Sequence, residues 1–478
     1  MKGPDMSSAE PHTLTHRMFR RKPIGRRHDT ELVRTIGLFQ LTMFGVGATV
    51  GTGIFFVLTT EVPAAGPAVV FSFVIAAFVA GLTALCYAEL AGAVPVSGSS
   101  YSYAYATLGE VVAMGIAACL LLEYGVSSAA VAVGWSQYLN EFLGNTIGLR
   151  VPQVLSESPA EGGIVNLPAM VLVFLCMVLL IRGASESAKA NAIMVLIKLG
   201  VLAMFVAIAA VGWNSNNLAD FAPFGFAGVW AASAGIFFSF IGLDAVSTAG
   251  EEVKDPARTM PRAIVLALII VTTAYVLVAL AAVAAQPWQQ FEGQEAGLAQ
   301  ILTEVTGSPL PATILAAGAV ISIFSVTLVT IYGQTRILFT MGTDGVLPPL
   351  FKKVNPKTMT PVTNTIIVAV VVSLLAGFVP LAGLADLVSI GTLVAFTVVS
   401  VAVILLRRRE PDLPRSFKVP GYPVTPLLSI AACVFVISGL HWVTFVFFGL
   451  WVGVVLIFYF SYSIKHSNLE PYPDGEGS

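Results

Sequence analysis

The stretch GVGATVGTGIFF, Gly45 to Phe56, sets four glycines and two threonines inside an otherwise apolar run. Glycine in a helix interior is less favourable than alanine by about 1 kcal/mol, so the poorest helix formers stand where a bilayer most demands a helix. Three readings compete. A nucleotide-binding fingerprint needs GxGxxG between a strand and a helix, whereas Gly45, Gly47 and Gly51 give GxGxxxG within an apolar span. Gly47 and Gly51 also form GxxxG, which lets two membrane helices approach closely; packing alone does not require Gly53 or the threonines. The third reading is a deliberate break, because non-helical backbone at membrane depth survives only where it is buried in protein or lines a cavity.

The rest of the chain fixes the setting. Of its 478 residues 56% are hydrophobic and 11% charged, against about a quarter charged in soluble domains. That balance describes an all-α polytopic membrane protein and leaves no room for a sizeable soluble domain. Taking about 20 apolar residues per crossing, twelve spans are predicted: Ile36 to Thr60, Pro67 to Ala93, Val111 to Leu139, Val165 to Ile181, Ala190 to Gly212, Val229 to Ala249, Ala263 to Ala285, Ala312 to Thr340, Val362 to Phe378, Leu384 to Leu406, Val424 to Leu440 and Val443 to Tyr462. Met1 to Arg34 is polar and basic without the apolar core of a cleavable signal, so the first span is expected to serve as the uncleaved insertion signal. Cys86, Cys119, Cys176 and Cys433 fall in apolar runs without metal-ligand spacing and read as packing residues.

Lysine and arginine are retained in cytoplasmic loops. With both termini cytoplasmic, twelve spans put 23 of the 25 basic residues on that side. Arg150 alone lies outside and Lys198 within a span. The basic segment around Arg20, Arg21, Lys22, Arg26 and Arg27 reads as a topology signal that also touches anionic lipid.

Ionisable residues inside spans are costly and mark function by default. They are Glu89, Glu123, Lys198, Asp244 and Asp386, with Glu251 and Glu252 at the cytoplasmic end of span 6. Glu89, Glu251 and Glu252 read as structural or gating ion pairs. Lys198 sits about two turns into an apolar helix, where burial favours its neutral form and brings proton exchange within reach. It is either a proton carrier or a fixed partner of Glu123 on span 3. Asp244 either caps a half-helix or contacts a cationic substrate.

A break in span 1 would free a half-helix N-terminus, whose amides and positive dipole end suit a carboxylate, and carbonyls that suit an ammonium. A substrate carrying both groups on one carbon is an amino acid. Interrupted spans at corresponding positions of two halves point to a transporter's binding site, and span 6 supplies the partner in AGIFFSFIGLDAVSTAGEE, interrupted at Ser239, Gly242 and Asp244. Five spans separate the two, so the second group of five runs inverted to the first. The predicted organisation is a cytoplasmic segment 1–35, a first repeat 36–212, an inverted repeat 229–406, two added helices 424–462 and a cytoplasmic tail 463–478.

GVGATVGTGIFF, GPAVVFSFVIAA, CYAELAGAVPVSGSSYSYAYATLGE, LLEYGVSSAAVAVGWS, FFSFIGLDAVSTAGEEVKDPARTMPRAI and TRILFTMGTDGVLP together make residues 30–460 resemble the amino acid, polyamine and organocation (APC) transporters. The likeness is greatest to their cationic amino acid transporter subgroup. The resemblance implies a LeuT-like five-plus-five inverted repeat plus two helices, working by alternating access. Carried over by position, the substrate carboxylate meets Thr49, Gly51, Thr52 and Gly53, and its ammonium meets carbonyls around Phe238, Ser239 and Ile241. Phe238 resembles the aromatic gate over the site. Lys198 matches a span 5 lysine that replaces the sodium ion of sodium-coupled relatives, which implies proton symport and no metal or other cofactor.

The expected substrates are cationic amino acids (arginine, lysine, ornithine) or a broader range including small neutral ones such as alanine, with Glu123 and Asp244 as side-chain contacts. An exchanger of the same fold, not driven by protons, is the alternative. A channel lacks its continuous polar lining and an enzyme its catalytic constellation, since the five histidines lie in terminal or loop regions. The expected location is a bacterial-type cell membrane, crossed many times, with no nucleic-acid partner.

Overall fold

The computed structural model describes residues 17–21, 36–51, 53–93, 99–182, 188–242, 246, 253–356, 358, 360–415 and 417–468. Among these the chain is helical, and its one strand-like contact is an isolated bridge between Ile36 and Val253. A backbone in lipid must satisfy its own amides, which is why apolar runs of this length become helices. In chain order they are α1 (Leu38–Thr49), α2 (Gly53–Ala65), α3 (Val69–Ala93), α4 (Ser99–Thr107), α5 (Glu110–Leu121), α6 (Ser127–Ile147), α7 (Leu167–Ile181) and α8 (Ala188–Val211). There follow α9 (Gly225–Phe237), α10 (Pro256–Ala285), α11 (Gly297–Thr306), α12 (Pro309–Thr343), α13 (Val362–Phe378), α14 (Leu381–Arg409), α15 (Val424–Ile437) and α16 (Trp442–Phe458).

Among the described residues, seven helical runs are long and apolar enough to cross a membrane, and five shorter apolar helices accompany them. Local chemistry sets their ends. Asn166 caps α7 by accepting from the Ala169 amide at 3.1 Å, with Pro168 behind it in the first turn, where its missing N–H costs nothing. Gly148 ends α6 in the left-handed conformation at φ +68°. The helices overrun several expected ends. The first break is followed by helix to Ala65, and Gly53–Ala93 is a nearly continuous helical run joined by a 3₁₀ turn at Gly66–Ala68.

Around the centre α12 packs along α6, and α10 along α1, α3 and α8. Trp135 Nε1 donates to the Val320 carbonyl at 3.0 Å, tying α6 to α12. Ser72 donates to the Val229 carbonyl at 2.8 Å, tying α3 to α9. Large apolar residues such as Phe174, Val370, Leu374, Leu450 and Ile457 stand exposed on the outer helices, as a lipid-facing surface requires. All four cysteines are buried and free.

Candidate functional site

The glycine-rich stretch divides between two jobs. Methyl groups added at Gly45 and Gly47 would stand 2.6 Å from side-chain carbons of Val246 and Val195, so these glycines let α1 lie tightly against its neighbours. Helix α1 then stops at Thr49. Its hydroxyl donates back to the Gly45 carbonyl at 2.8 Å, Val50 takes φ −75° and ψ 74°, and helix resumes at Gly53. Span 6 stops in the same way. Helix α9 tightens into a 3₁₀ turn at Phe238–Phe240, Ile241 is extended, and Gly242 has φ +98°.

The two breaks interlock. A methyl on Gly53 would stand 2.7 Å from the Ser239 Cα, and one on Gly242 would stand 2.7 Å from the Ala48 carbonyl oxygen. No side chain fits at either position. Around the interlock lies a cavity whose wall includes Thr49, Gly51 and Gly53 from the first break and Phe238, Ile241 and Gly242 from the second. Residues of α6, α8 and α12 complete it, among them Ser127, Asn191, Ser325 and Thr330. It encloses about 70 Å³ for the centres of water-sized groups.

Helix α2 opens at this cavity, and the first amides of any helix lack intrahelical partners. At the end of α1 and at the 3₁₀ turn, the Gly47 and Phe238 carbonyls accept from Lys198 and from the Ile241 amide. Phe238 forms part of the wall, its ring 5.6 Å from that of Phe56. Among the described residues Ser239 is not part of the wall; it is buried against Gly53, and its hydroxyl makes no hydrogen bond to them. Thr52, Asp244, Glu251 and Glu252 lie outside the described residues.

Lys198, 1% exposed, sends Nζ from α8 to the Gly47 carbonyl at 3.2 Å. Glu123 is buried and faces the cavity from a single π turn, Leu122–Val126, between α5 and α6. Such turns widen a helix by one residue and recur at functional sites. Glu123, Lys198 and the two breaks are thereby gathered around one centre. Asp386 stands apart on α14, with the Thr444 hydroxyl 3.5 Å away. Glu89 ion-pairs with Arg407 and also accepts from the Val419 amide at 2.7 Å.

Sequence reading missed several contributors. Glu61 lay one residue beyond the expected end of span 1; it accepts from Thr60 at 3.3 Å and is close enough to Asp386 to feel its charge. The π turn leaves no trace in hydropathy, although Glu123 and Gly125 inside an apolar run hint at it. Tyr275, which donates to the Thr49 carbonyl at 2.9 Å, read as one more aromatic in an apolar span.

Paired helix breaks around a cavity, in a chain of apolar helices, define a membrane transporter. Comparison with known proteins narrows the class: residues 36–463 match the amino acid permease family. The chain belongs to that family, within the APC superfamily. It is 45% identical to the branched-chain amino acid permease BcaP of Bacillus subtilis, covering 92% of this chain and 95% of that one. The methylthioribose transporter of the same organism is 40% identical over 95% of this chain and 99% of its own. Human cationic amino acid transporter 4 is 34% identical over 84% of this chain and 64% of its own. The family consists of transporters, not enzymes.

Proposed function

We propose that this chain takes up amino acids in symport with protons, by alternating access, across a bacterial-type cell membrane. In this reading twelve spans with both termini cytoplasmic comprise a first repeat (36–212), an inverted repeat (229–406) and two added helices (424–462), flanked by cytoplasmic segments 1–35 and 463–478. The substrate carboxylate binds at Thr49, Gly51, Thr52 and Gly53 and its ammonium at the carbonyls around Phe238, Ser239 and Ile241. Phe238 closes over it, with Asp244 and Glu123 serving as side-chain contacts or ion pairs.

The observation that carries the coupling is the 3.2 Å bond from Lys198 to Gly47, one turn before the first break. A charged lysine donates strongly to that carbonyl and a neutral one weakly, so protonation shifts the balance between outward and inward forms. A few kcal/mol suffices for such a shift, since about 5.5 kcal/mol carries a population from 1:99 to 99:1. The small cavity, with Val131, Val326 and Val329 beside Glu123 in its wall, favours a broad range in which neutral aliphatic substrates join the cationic ones. The names of the branched-chain and cationic relatives support the same breadth.

Purified protein in proteoliposomes should accumulate labelled leucine, alanine or arginine when an inward proton gradient is imposed. Lys198→Met should abolish gradient-driven uptake while retaining substrate binding. Gradient-driven uptake persisting in Lys198→Met would exclude the carrier role, and failure of all three substrates would sink the amino acid assignment.

A further inference from the structure

Buried backbone carbonyls need partners, and a helix that stops inside a membrane protein creates several without any. At the end of α1 they are satisfied partly from its own last turn and partly from two other helices. The Val46 carbonyl takes the Val50 amide at 2.7 Å. The Gly47 carbonyl takes Lys198 from α8, and the Thr49 carbonyl takes the Tyr275 hydroxyl from α10 at 2.9 Å. Thr49 also accepts from the Gly51 amide, at 2.7 Å.

Tyr275 is fully buried. Its ring stands edge-on to Phe240, the last residue of the 3₁₀ turn before the second break, at 5.4 Å and 73°. On its other side it meets Phe73 of α3 at 6.1 Å and 68°. One side chain therefore holds the first break through a hydrogen bond and packs on the second through its ring. It forms no part of the cavity wall among the described residues, so any effect on substrate passes through Thr49.

We propose that Tyr275 is a positioning residue for substrate binding, holding the Thr49 carbonyl so that the Gly51 amide is free to turn to the substrate's carboxylate. This rests on the reading of the first break as the carboxylate site. The Gly51 N–H points at the Thr49 carbonyl. For it to donate to a carboxylate it must leave that carbonyl, and a buried carbonyl abandoned by its donor loses a hydrogen bond. With Tyr275 bonded there, Thr49 keeps one donor throughout. Fixing the Thr49 carbonyl also fixes the Val50 amide, because the two share one planar peptide unit. The Lys198 bond two residues earlier depends on a proton, whereas the phenol keeps its proton across the working pH range.

The test is Tyr275→Phe, which deletes the hydroxyl and leaves both ring contacts. The substrate-induced rise in melting temperature is measured on the purified full chain with leucine, alanine and arginine, and KM and kcat are measured in proteoliposomes at several pH values. The expected result is a roughly tenfold higher KM and Kd for every substrate, equivalent to about 1.4 kcal/mol. The kcat, the shape of the pH profile and the melting temperature without substrate should stay near the parent's. Unchanged KM and Kd would overturn the proposal, as would a variant that loses stability without losing affinity or fails to fold, since each marks Tyr275 as structural only. Binding in the parent without proton-driven uptake would remove the coupling reading and leave this test standing. No binding of any amino acid by the parent would remove both.

Discussion

Gly242 lies so close to Ala48 that a methyl group on its Cα would stand 2.7 Å from the Ala48 carbonyl oxygen, and its φ of +98° is one that side-chain-bearing residues rarely adopt. Gly242→Ala therefore strains the backbone, by about 1–3 kcal/mol for such a conformation, and also pushes the two breaks apart. Uptake should fall at least tenfold in proteoliposomes containing equal amounts of protein. Parent-like uptake by Gly242→Ala would mean that the breaks need not touch.

The existence of this site was legible in Gly45 to Phe56, because glycines at that density in an apolar run serve either close packing or a stop. The structure assigns both uses within a dozen residues. Gly45 and Gly47 lie against Val246 and Val195, whereas Gly53 and Gly242 lie against the opposite break. Which glycine did which job was hidden, since the answer depends on partners up to about two hundred residues away. Lys198 and Glu123 were legible as charges where charge is costly, yet the π turn that aims Glu123 has no hydropathy signature. Glu61 was lost for a simpler reason: the helix runs on to Ala65, past the point where the apolar run weakens. Tyr275 was unreadable in principle, because its role rests on a carbonyl 226 positions away.

Arg20 and Glu110 form a second long-range pair. The guanidinium grips both carboxylate oxygens, at 2.6 and 2.7 Å, and reaches the Ile464 carbonyl at 3.0 Å, while Ser467 donates to the same carboxylate at 2.7 Å. Segments near both ends of the chain thus meet at the start of α5. Both charges are nearly fully buried, so removing one leaves the other unpaired, at a cost of about 3–5 kcal/mol. Arg20→Ala should lower the melting temperature markedly, and Arg20→Met with Glu110→Gln should recover part of the loss. Equal melting temperatures for Arg20→Ala and the parent would show the pair to be dispensable.

Glu295, in the segment before α11, is raised from an ordinary 4.5 to about 7, by burial and then by the hydrogen bond and charge of Glu157. A carboxyl raised in this way binds its proton more tightly when folded than when unfolded. Its stabilisation is complete below about pH 4.5 and disappears as pH rises through 7. Glu295→Gln keeps the neutral form at every pH. The variant should melt above the parent at pH 8 and alongside it at pH 4; a constant difference across that range would rule out the raised titration of Glu295.

In the proposed reading, Glu123 sets how far substrate choice extends towards cations. It faces the cavity from the π turn, within the same wall as Val131, Val326 and Val329, and two uses of its charge make different predictions. If it meets a cationic side chain, Glu123→Gln removes the one acidic group in the described wall while leaving the apolar surface for leucine and alanine intact. KM for arginine and lysine should then rise at least tenfold, about 1.4 kcal/mol, with leucine and alanine little changed. If instead it serves Lys198, the substitution alters the proton carrier and not the substrate pocket, so every substrate would lose gradient-driven uptake by the same factor. The expected result is the selective loss, because Glu123 is the acidic residue of the described cavity wall. Uptake of the four amino acids measured with and without a pH gradient separates the two, and a uniform loss would assign Glu123 to coupling.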